Sequence, residues 1–359
     1  MVGNKSRAVF RTLVADRGDI RWRLPGRVDI AYLGWVRRGN LGDQAMYEAF
    51  HNLVSSTHSV QLAPITSVGR LIAAGSRPRT LVVGGGTLLG LPEWNFRIEE
   101  AIRMLKPDRV VSLGTGVVNP GTEIDSNRIE IALAESARIL EGFERVTVRG
   151  PRSVATLSRY GIEAEGIGDL ALLRSRITAA SPHERSNSIL VNLANNSRRP
   201  LSFESDQFQS LISALRELKV EGYAVRFFAM EDKDIDLMLE SVGREFEIIP
   251  FVMGADDLAH LMAASSLVLS ERLHGSILAA SVGTPFVAMP YMDKVVDFAA
   301  SVDCLDWVLP RNAEVDGVDV GQFIRGVLNS TERRECAHKV IQTRSTNLSR
   351  SVIEIVSGH

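Results

Sequence analysis

The chain has 359 residues, more than one hydrophobic core usually spans, so two domains are expected. Its 41 basic and 43 acidic residues leave a formal charge of -2, which excludes a global drive toward nucleic acid or anionic membrane. Cys304 and Cys336 are the only cysteines and belong to no CxxC or Cys/His cluster, which excludes a disulfide framework and a structural zinc site and suits a reducing, cytoplasmic setting.

In chain order, the charge is uneven at the start. The first 38 residues carry Lys5, Arg7, Arg11, Arg17, Arg21, Arg23, Arg27, Arg37 and Arg38 against Asp16, Asp19 and Asp29. Residues 1–27 read as a basic extension, either a solvated tail or a contact with an anionic acceptor or with the inner face of a membrane. A strand is expected over 28–34, running through Arg37-Arg38-Gly39-Asn40-Leu41-Gly42-Asp43 into a helix over 44–54. A strand at 60–62, a helical stretch at 71–74 and a strand at 80–83 follow, the last ending in the turn Gly84-Gly85-Gly86-Thr87. The pattern assigns no element from there to a strand at 110–113, which ends in Gly114-Thr115-Gly116. A helix over 126–140 and a strand over 145–148 lead to Arg149, then Pro151 opens a helix over 152–160 that Gly161 stops. The apolar runs at 81–91 and 110–118 are about half as long as a membrane span and are broken by glycine.

Past 169–173 comes a polar stretch with Pro182, and residues 176–187 are the expected linker. Strands at 188–192, 224–228, 247–249, 267–269 and 286–288 then alternate with helices at 203–218, 232–242, 255–264, 275–282 and 294–301, ahead of a helical segment over 320–356. Apolar strands alternating with amphipathic helices specify an α/β chain with parallel sheets. The expected architecture is two Rossmann-like domains facing a cleft. They cover 1–175 and 188–319, and a C-terminal helical segment, 320–359, packs back on the first.

Four segments place glycine or charge at the carboxyl ends of these strands. Gly39-Asn40-Leu41-Gly42-Asp43 allows a tight turn with Asp43 near a helix start, where it can cap. Gly84-Gly85-Gly86-Thr87 exposes backbone amides that can cradle an anion, without the spacing of a dinucleotide fingerprint. Arg149, directly after an apolar strand, is placed to hold carboxylate or phosphate oxygens, or to bridge helices. Ser270-Glu271-Arg272-Leu273-His274-Gly275 combines an arginine, a helix N-terminus and a histidine, an anion site with a proton donor beside it. Tyr291 and Lys294 lie at a later strand-to-helix junction, where they can contact phosphate or acceptor or serve structure alone.

The ordered set is more specific than any one segment. Gly39-Asn40-x-Gly42-Asp43, Gly84-Gly85-Gly86, Val148-Arg149 with Ser153 and Gly161, Gly168-Asp169-Leu170-Ala171, and Arg272-Leu273-His274 with Gly283-x-Pro285, Tyr291 and Lys294 together resemble the polysaccharide pyruvyl transferase family over about residues 28–302. Two positions depart from the family pattern. Gly150 stands where an aspartate commonly follows the arginine, and Gly168-Asp169 replaces the commoner Pro-Asp. The first departure leaves open whether Arg149 or Arg152 contacts the donor.

The resemblance implies a two-lobed, GT-B-like glycosyltransferase fold and a transferase that moves the pyruvyl group of phosphoenolpyruvate onto a sugar as a ketal, needing no metal or other cofactor. It implies Arg149, Arg272 and Leu273 as donor-binding residues and His274 as the acid. Lys294 joins the donor set, Asp43 is the expected base, and Asn40, Gly85, Gly86, Thr87 and Tyr291 are expected acceptor or phosphate contacts. The residue types suit the chemistry. Two arginines and a helix end offset a near-trianion, and protonation of the donor's methylene carbon needs a positioned acid whose charge is supported by a carboxylate or by the donor itself. The expected acceptor is a sugar, a lipid-linked sugar or a glycolipid. A nucleotide-sugar glycosyltransferase, with Glu271 recognising ribose, is the rival reading, and a non-catalytic carbohydrate-binding relative is the third.

Overall fold

The computed structural model describes residues 28–65, 77–120, 126–174, 186–195, 205–249, 254–289, 292–310 and 318–358. The basic extension 1–27, the helical stretch at 71–74, most of the expected linker and Tyr291 lie outside them.

The first of two compact units holds the described residues up to Arg38, Phe50–Ile167, and those from Arg350 onward. Its strands are β1 (Ile30–Leu33), β2 (Val60–Leu62), β3 (Thr80–Gly84), β4 (Thr87–Leu89), β5 (Arg109–Val117), β6 (Arg145–Val148) and β7 (Glu165–Gly166). They form one parallel sheet in the order β2-β1-β3-β5-β6-β7, with β4 paired to β5 off that path. β1 and β3 are buried along their whole length, which is why they read as unbroken apolar runs. Helices α1 (Leu41–Val54), α2 (Pro92–Leu105), α3 (Ser126–Leu140) and α4 (Pro151–Ser158) are the crossover helices of this stretch of chain. Helix α2 falls where the pattern assigned nothing, although Pro92 opens it and Trp94, Ile98, Ala101 and Leu105 keep helical spacing toward the core.

Gly39–Ala49 and Gly168–Ser349 make up the second unit. Its sheet is five parallel strands in the order β10-β9-β8-β11-β12: β8 (Ser186–Asn192), β9 (Ala224–Phe227), β10 (Glu247–Ile248), β11 (Ser265–Ser270) and β12 (Phe286–Ala288). Between them run α5 (Asp206–Val220), capped by the Ser205 side chain, α6 (Lys233–Val242), α7 (Ala255–Ala263) and α8 (Leu273–Ser281), and α9 (Asp293–Ser301) follows β12. The alternation expected for two Rossmann-like domains is therefore present in each unit.

This division differs from the expected boundaries at 175 and 188. The segment Gly39–Ala49 groups with the second unit because the buried Arg174 holds it there, donating to Ala45 O at 3.3 Å and Glu48 Oε2 at 3.0 Å while also pairing with Asp256. Residues 186 and 187 of the expected linker already belong to β8.

The C-terminal helical segment is two helices, α10 (Val320–Asn329) and α11 (Thr331–Ser357), separated at Ser330. Of the segment 320–359 expected to pack back on the first domain, residues up to Ser349 belong to the second unit and only those from Arg350 belong to the first, where Arg109 fixes them. Its Nη2 donates to Ile355 O at 2.7 Å and its Nη1 to Val356 O at 3.4 Å, satisfying last-turn carbonyls that have no helical partner. Among the described residues no helix is long and apolar enough to cross a membrane.

Charge-assisted bonds of this kind contribute about 1.5–3 kcal/mol. Arg109→Ala is expected to lower the unfolding free energy by about 1–3 kcal/mol in urea, with residues 350–358 losing amide-exchange protection first. Unchanged protection there would show that Arg109 does not hold the helix end.

Candidate active site

The second unit brings three of the sequence motifs together. Arg272 ends the loop after β11 and is the N-cap of α8. It is 8% exposed, and its guanidinium is held on two sides. Nε and Nη2 fork onto Asp234 at 3.1 and 2.6 Å, and Nη1 donates to Glu231 Oε1 at 2.8 Å. Asn40 Nδ2 donates to the same Glu231 oxygen at 2.8 Å, so the first glycine motif is joined to Arg272 through one carboxylate. Asp234 also accepts from the backbone N–H of Met230, Glu231 and Asn195. A buried ion pair of this type is costly unless its remaining lone pairs are used, and here they are.

Asn40 has a second role. Its Oδ1 accepts from Gly42 N at 2.9 Å and Asp43 N at 3.2 Å, so Asn40 caps α1, which begins at Leu41 rather than at 44. The cap expected from Asp43 is thus supplied by Asn40, and Asp43 sits half-buried in the first turn.

His274 lies on the second residue of α8 with 12% of its side chain exposed. A Cβ added to Gly42 would stand 2.0 Å from His274 Nδ1 and 2.3 Å from Cγ, so the ring rests against the Gly42 backbone. On its other nitrogen, Nε2 is 3.6 Å from Asp169 Oδ2 and makes no hydrogen bond among the described residues. Asp169 is fully buried and accepts from Ala171 N at 2.9 Å. Gly42, His274 and Asp169 therefore form one stack within the second unit. The structure adds Asp169, quoted in the sequence only as part of a motif, as the carboxylate facing the histidine.

The other expected residues of this unit are placed less directly. Leu273 is 3% exposed, so its side chain belongs to the core and only its backbone N–H at the start of α8 is suited to a ligand. Lys294 is half-buried on the second residue of α9. Glu271, the acid on which the rival reading relied, is 1% exposed and accepts from Ala194 N at 2.6 Å, clamping the loop after β8.

In the first unit, Gly85 (φ 72°) and Gly86 (φ 70°) turn the chain from β3 into β4, two left-handed positions in succession that only glycine takes without strain. Gly86 O accepts from Gly116 N at 2.7 Å. Gly116 in turn makes room for two side chains, since an added Cβ would stand 2.6 Å from Arg149 Nη1 and 2.9 Å from Thr87 Oγ1. Arg149 is 1% exposed and its N–H donates to Thr115 O, whereas Arg152 is exposed on the first turn of α4. The Thr87 hydroxyl is buried with no hydrogen-bond partner among the described residues. Among the described residues no group of three or more His, Cys, Asp or Glu is arranged to hold a metal ion.

Glu231, Asp234 and Asn192 escaped the sequence reading. Part of the signal was available: Glu231 is the first charged residue after β9, ending the apolar stretch Phe227-Phe228-Ala229-Met230, while Asp234 lies in the first turn of α6. Asn192, at the end of β8, accepts from Arg272 N at 3.1 Å.

The model for the family described as polysaccharide pyruvyl transferase matches residues 40–293, a span that contains the whole constellation around His274. The chain belongs to the polysaccharide pyruvyl transferase family. No curated protein matches it. Among solved structures, this family member is similar to a UDP-glucosyltransferase from Polygonum tinctorium capable of glucosylating indoxyl (TM-score 0.55, 13% identity, 92% of this chain and 98% of that one). It is also similar to MnaA of S. aureus in a co-structure with UDP (TM-score 0.58, 11% identity, 92% and 95%) and to UDP-GlcNAc 2-epimerase from Methanocaldococcus jannaschii (TM-score 0.52, 12% identity, 85% and 94%). At such identities the likeness establishes the fold, a GT-B-type α/β architecture.

The stack makes a test. Gly42→Ala is expected to cost about 1–3 kcal/mol by overpacking against the ring, and His274→Ala in the same chain is expected to recover most of that loss. Additive effects in the double-mutant cycle would show that the two residues do not touch.

Proposed function

We propose that the chain transfers the pyruvyl group of phosphoenolpyruvate to two hydroxyls of a sugar, giving a cyclic ketal and inorganic phosphate. Family membership supplies the pyruvyl transfer, and the observation that carries the finer reading is His274 held between Gly42 and Asp169 two residues past Arg272. An imidazole fixed at a helix N-terminus beside a buried carboxylate is suited to deliver a proton where an anionic ligand binds.

In the proposed sequence, His274 gives a proton to the methylene carbon of the enol phosphate, and Asp169 offsets the charge of the protonated ring. The central carbon becomes oxocarbenium-like, and a first sugar hydroxyl adds to it while Asp43 accepts the hydroxyl proton. The bond from that carbon to the phosphate oxygen then breaks. The second hydroxyl adds, its proton leaves, and the former methylene is now the ketal's methyl group. One proton is taken up, two are released, and the balance leaves with phosphate.

Arg272 has five N–H donors, of which the bonds to Asp234 and Glu231 use three. The two acids hold the guanidinium in one orientation, and in this reading the N-terminal amides of α8 and Lys294 share the task of meeting the donor's phosphate. Arg149 stays in the proposal as a donor contact, favoured over Arg152 because burial raises the electrostatic value of its charge. The engagement of Glu271 by Ala194 N is one reason to rank the nucleotide-sugar reading lower.

The assay follows phosphate release from phosphoenolpyruvate over a panel of sugars, with mass spectrometry for the pyruvyl adduct. Phosphate and adduct are expected in equal amounts, and His274→Ala is expected to lower kcat at least about 100-fold with donor affinity little changed, in the range of general-acid contributions. Release of nucleotide from a sugar nucleotide, with none of phosphate from phosphoenolpyruvate, would replace this reading with the rival one.

A further inference from the structure

The first unit carries a cluster that the reaction has not used. Trp35 follows β1 by two residues and Trp94 is the third residue of α2; their rings meet edge to face with centroids 6.3 Å apart. The Arg97 guanidinium lies over both rings, 5.5 Å from the Trp35 centroid and 5.0 Å from that of Trp94. Arg38 lies over Trp35 as well, at 5.6 Å. One indole thus carries two guanidinium groups.

That arrangement is electrostatically lopsided. Cation–π attraction of about 0.5–2 kcal/mol favours each arginine on the ring, but two like charges on one platform repel. Arg97 is held below the ordinary arginine range first by burial, then by Arg38, with Glu93 as the opposing carboxylate. Trp94 is buried, whereas Trp35 and both arginines are half-exposed, so the cluster is open to a ligand. Both tryptophans stand where the chain leaves the carboxyl ends of strands, the edge of a parallel sheet at which ligands bind.

We propose that Trp35, Trp94, Arg38 and Arg97 form a subsite for an anionic saccharide, a sugar bearing a phosphate or carboxylate group. The indole of Trp35 offers an apolar face for a sugar ring, and the two guanidiniums meet the anion with planar, paired donors. Phosphoenolpyruvate has no ring to lay on an indole, which points to the acceptor rather than the donor. The assignment to the acceptor rests on the pyruvyl-transfer reading; binding at the cluster does not.

Calorimetric titration of the full chain without donor separates the two. The probes are the 1-phosphates of glucose, galactose and mannose, the corresponding free sugars, and inorganic phosphate, against the wild type, Arg38→Gln and Arg97→Gln. At least one hexose 1-phosphate is expected to bind about tenfold or more tightly than both its free sugar and inorganic phosphate, weakening with salt. Arg38→Gln, whose side chain is half-exposed, is expected to lose most of that preference with an unchanged melting temperature, and it decides the matter if Arg97→Gln unfolds. Equal affinity for charged and free sugars, binding of phosphate alone as tight as that of the sugar phosphate, no binding by any probe, or full retention in Arg38→Gln would each overturn the subsite. Failure of phosphoenolpyruvate turnover would leave this result standing and would remove only the acceptor role.

Discussion

The burial of one guanidinium governs the candidate site. Arg272 is buried just past the end of β11, where an unmatched charge would be prohibitive, and two carboxylates, Glu231 from the loop after β9 and Asp234 from the first turn of α6, neutralise it. The same carboxylates reach further. Glu231 takes a second hydrogen bond from Asn40, and Asp234 takes three from backbone N–H groups, so the loops after β8, β9 and β11 and the start of α1 are tied to a single charge. Removing Asp234 would break the two-bond fork and leave Glu231 as the remaining carboxylate on the arginine, loosening the turn that carries His274.

Shape comes from the glycines. Gly42 is flat enough for the imidazole to rest on it, and Gly275 is flat enough for Ser270 Oγ, which an added Cβ would approach to 2.1 Å. Gly116 does the same for Arg149 and Thr87. In each case the residue type is dictated by what must lie against the backbone, and the motif glycines of the sequence are therefore contact surfaces as much as turns. The similar solved structures share the fold at 11–13% identity, and a shared fold does not fix which side chains occupy these surfaces.

Much of this was legible beforehand. The parallel strands β1, β3, β8 and β11 announce themselves as apolar runs because both faces are buried, and Arg272, His274 and the two glycine turns stand out together, in order at strand ends, although each alone reads equally well as a cap or a turn. Helix α2 gives little sequence signal because its opening is a Leu-Leu-Gly-Leu-Pro run that reads as a loop, and its amphipathic face shows only from Trp94 onward. The grouping of Gly39–Ala49 with the second unit could not be read from periodicity, because it depends on Arg174 meeting residues far away in sequence. Asp169 shows the same limit. A carboxylate after a glycine is unremarkable in a string of letters, and its meaning comes from facing an imidazole about a hundred residues later.

The pyruvyl-transfer account makes one positional claim above all others, that the donor's methylene carbon comes to the ring of His274. A crystal structure of the chain soaked with phosphoenolpyruvate tests it most directly. The account predicts the donor with its methylene carbon about 3.5 Å from the imidazole, a near-attack distance, and its phosphate on the N-terminal amides of α8. Density for the donor away from His274, or no density at saturating donor while a sugar nucleotide occupies the carboxyl ends of the second unit's strands, would contradict it.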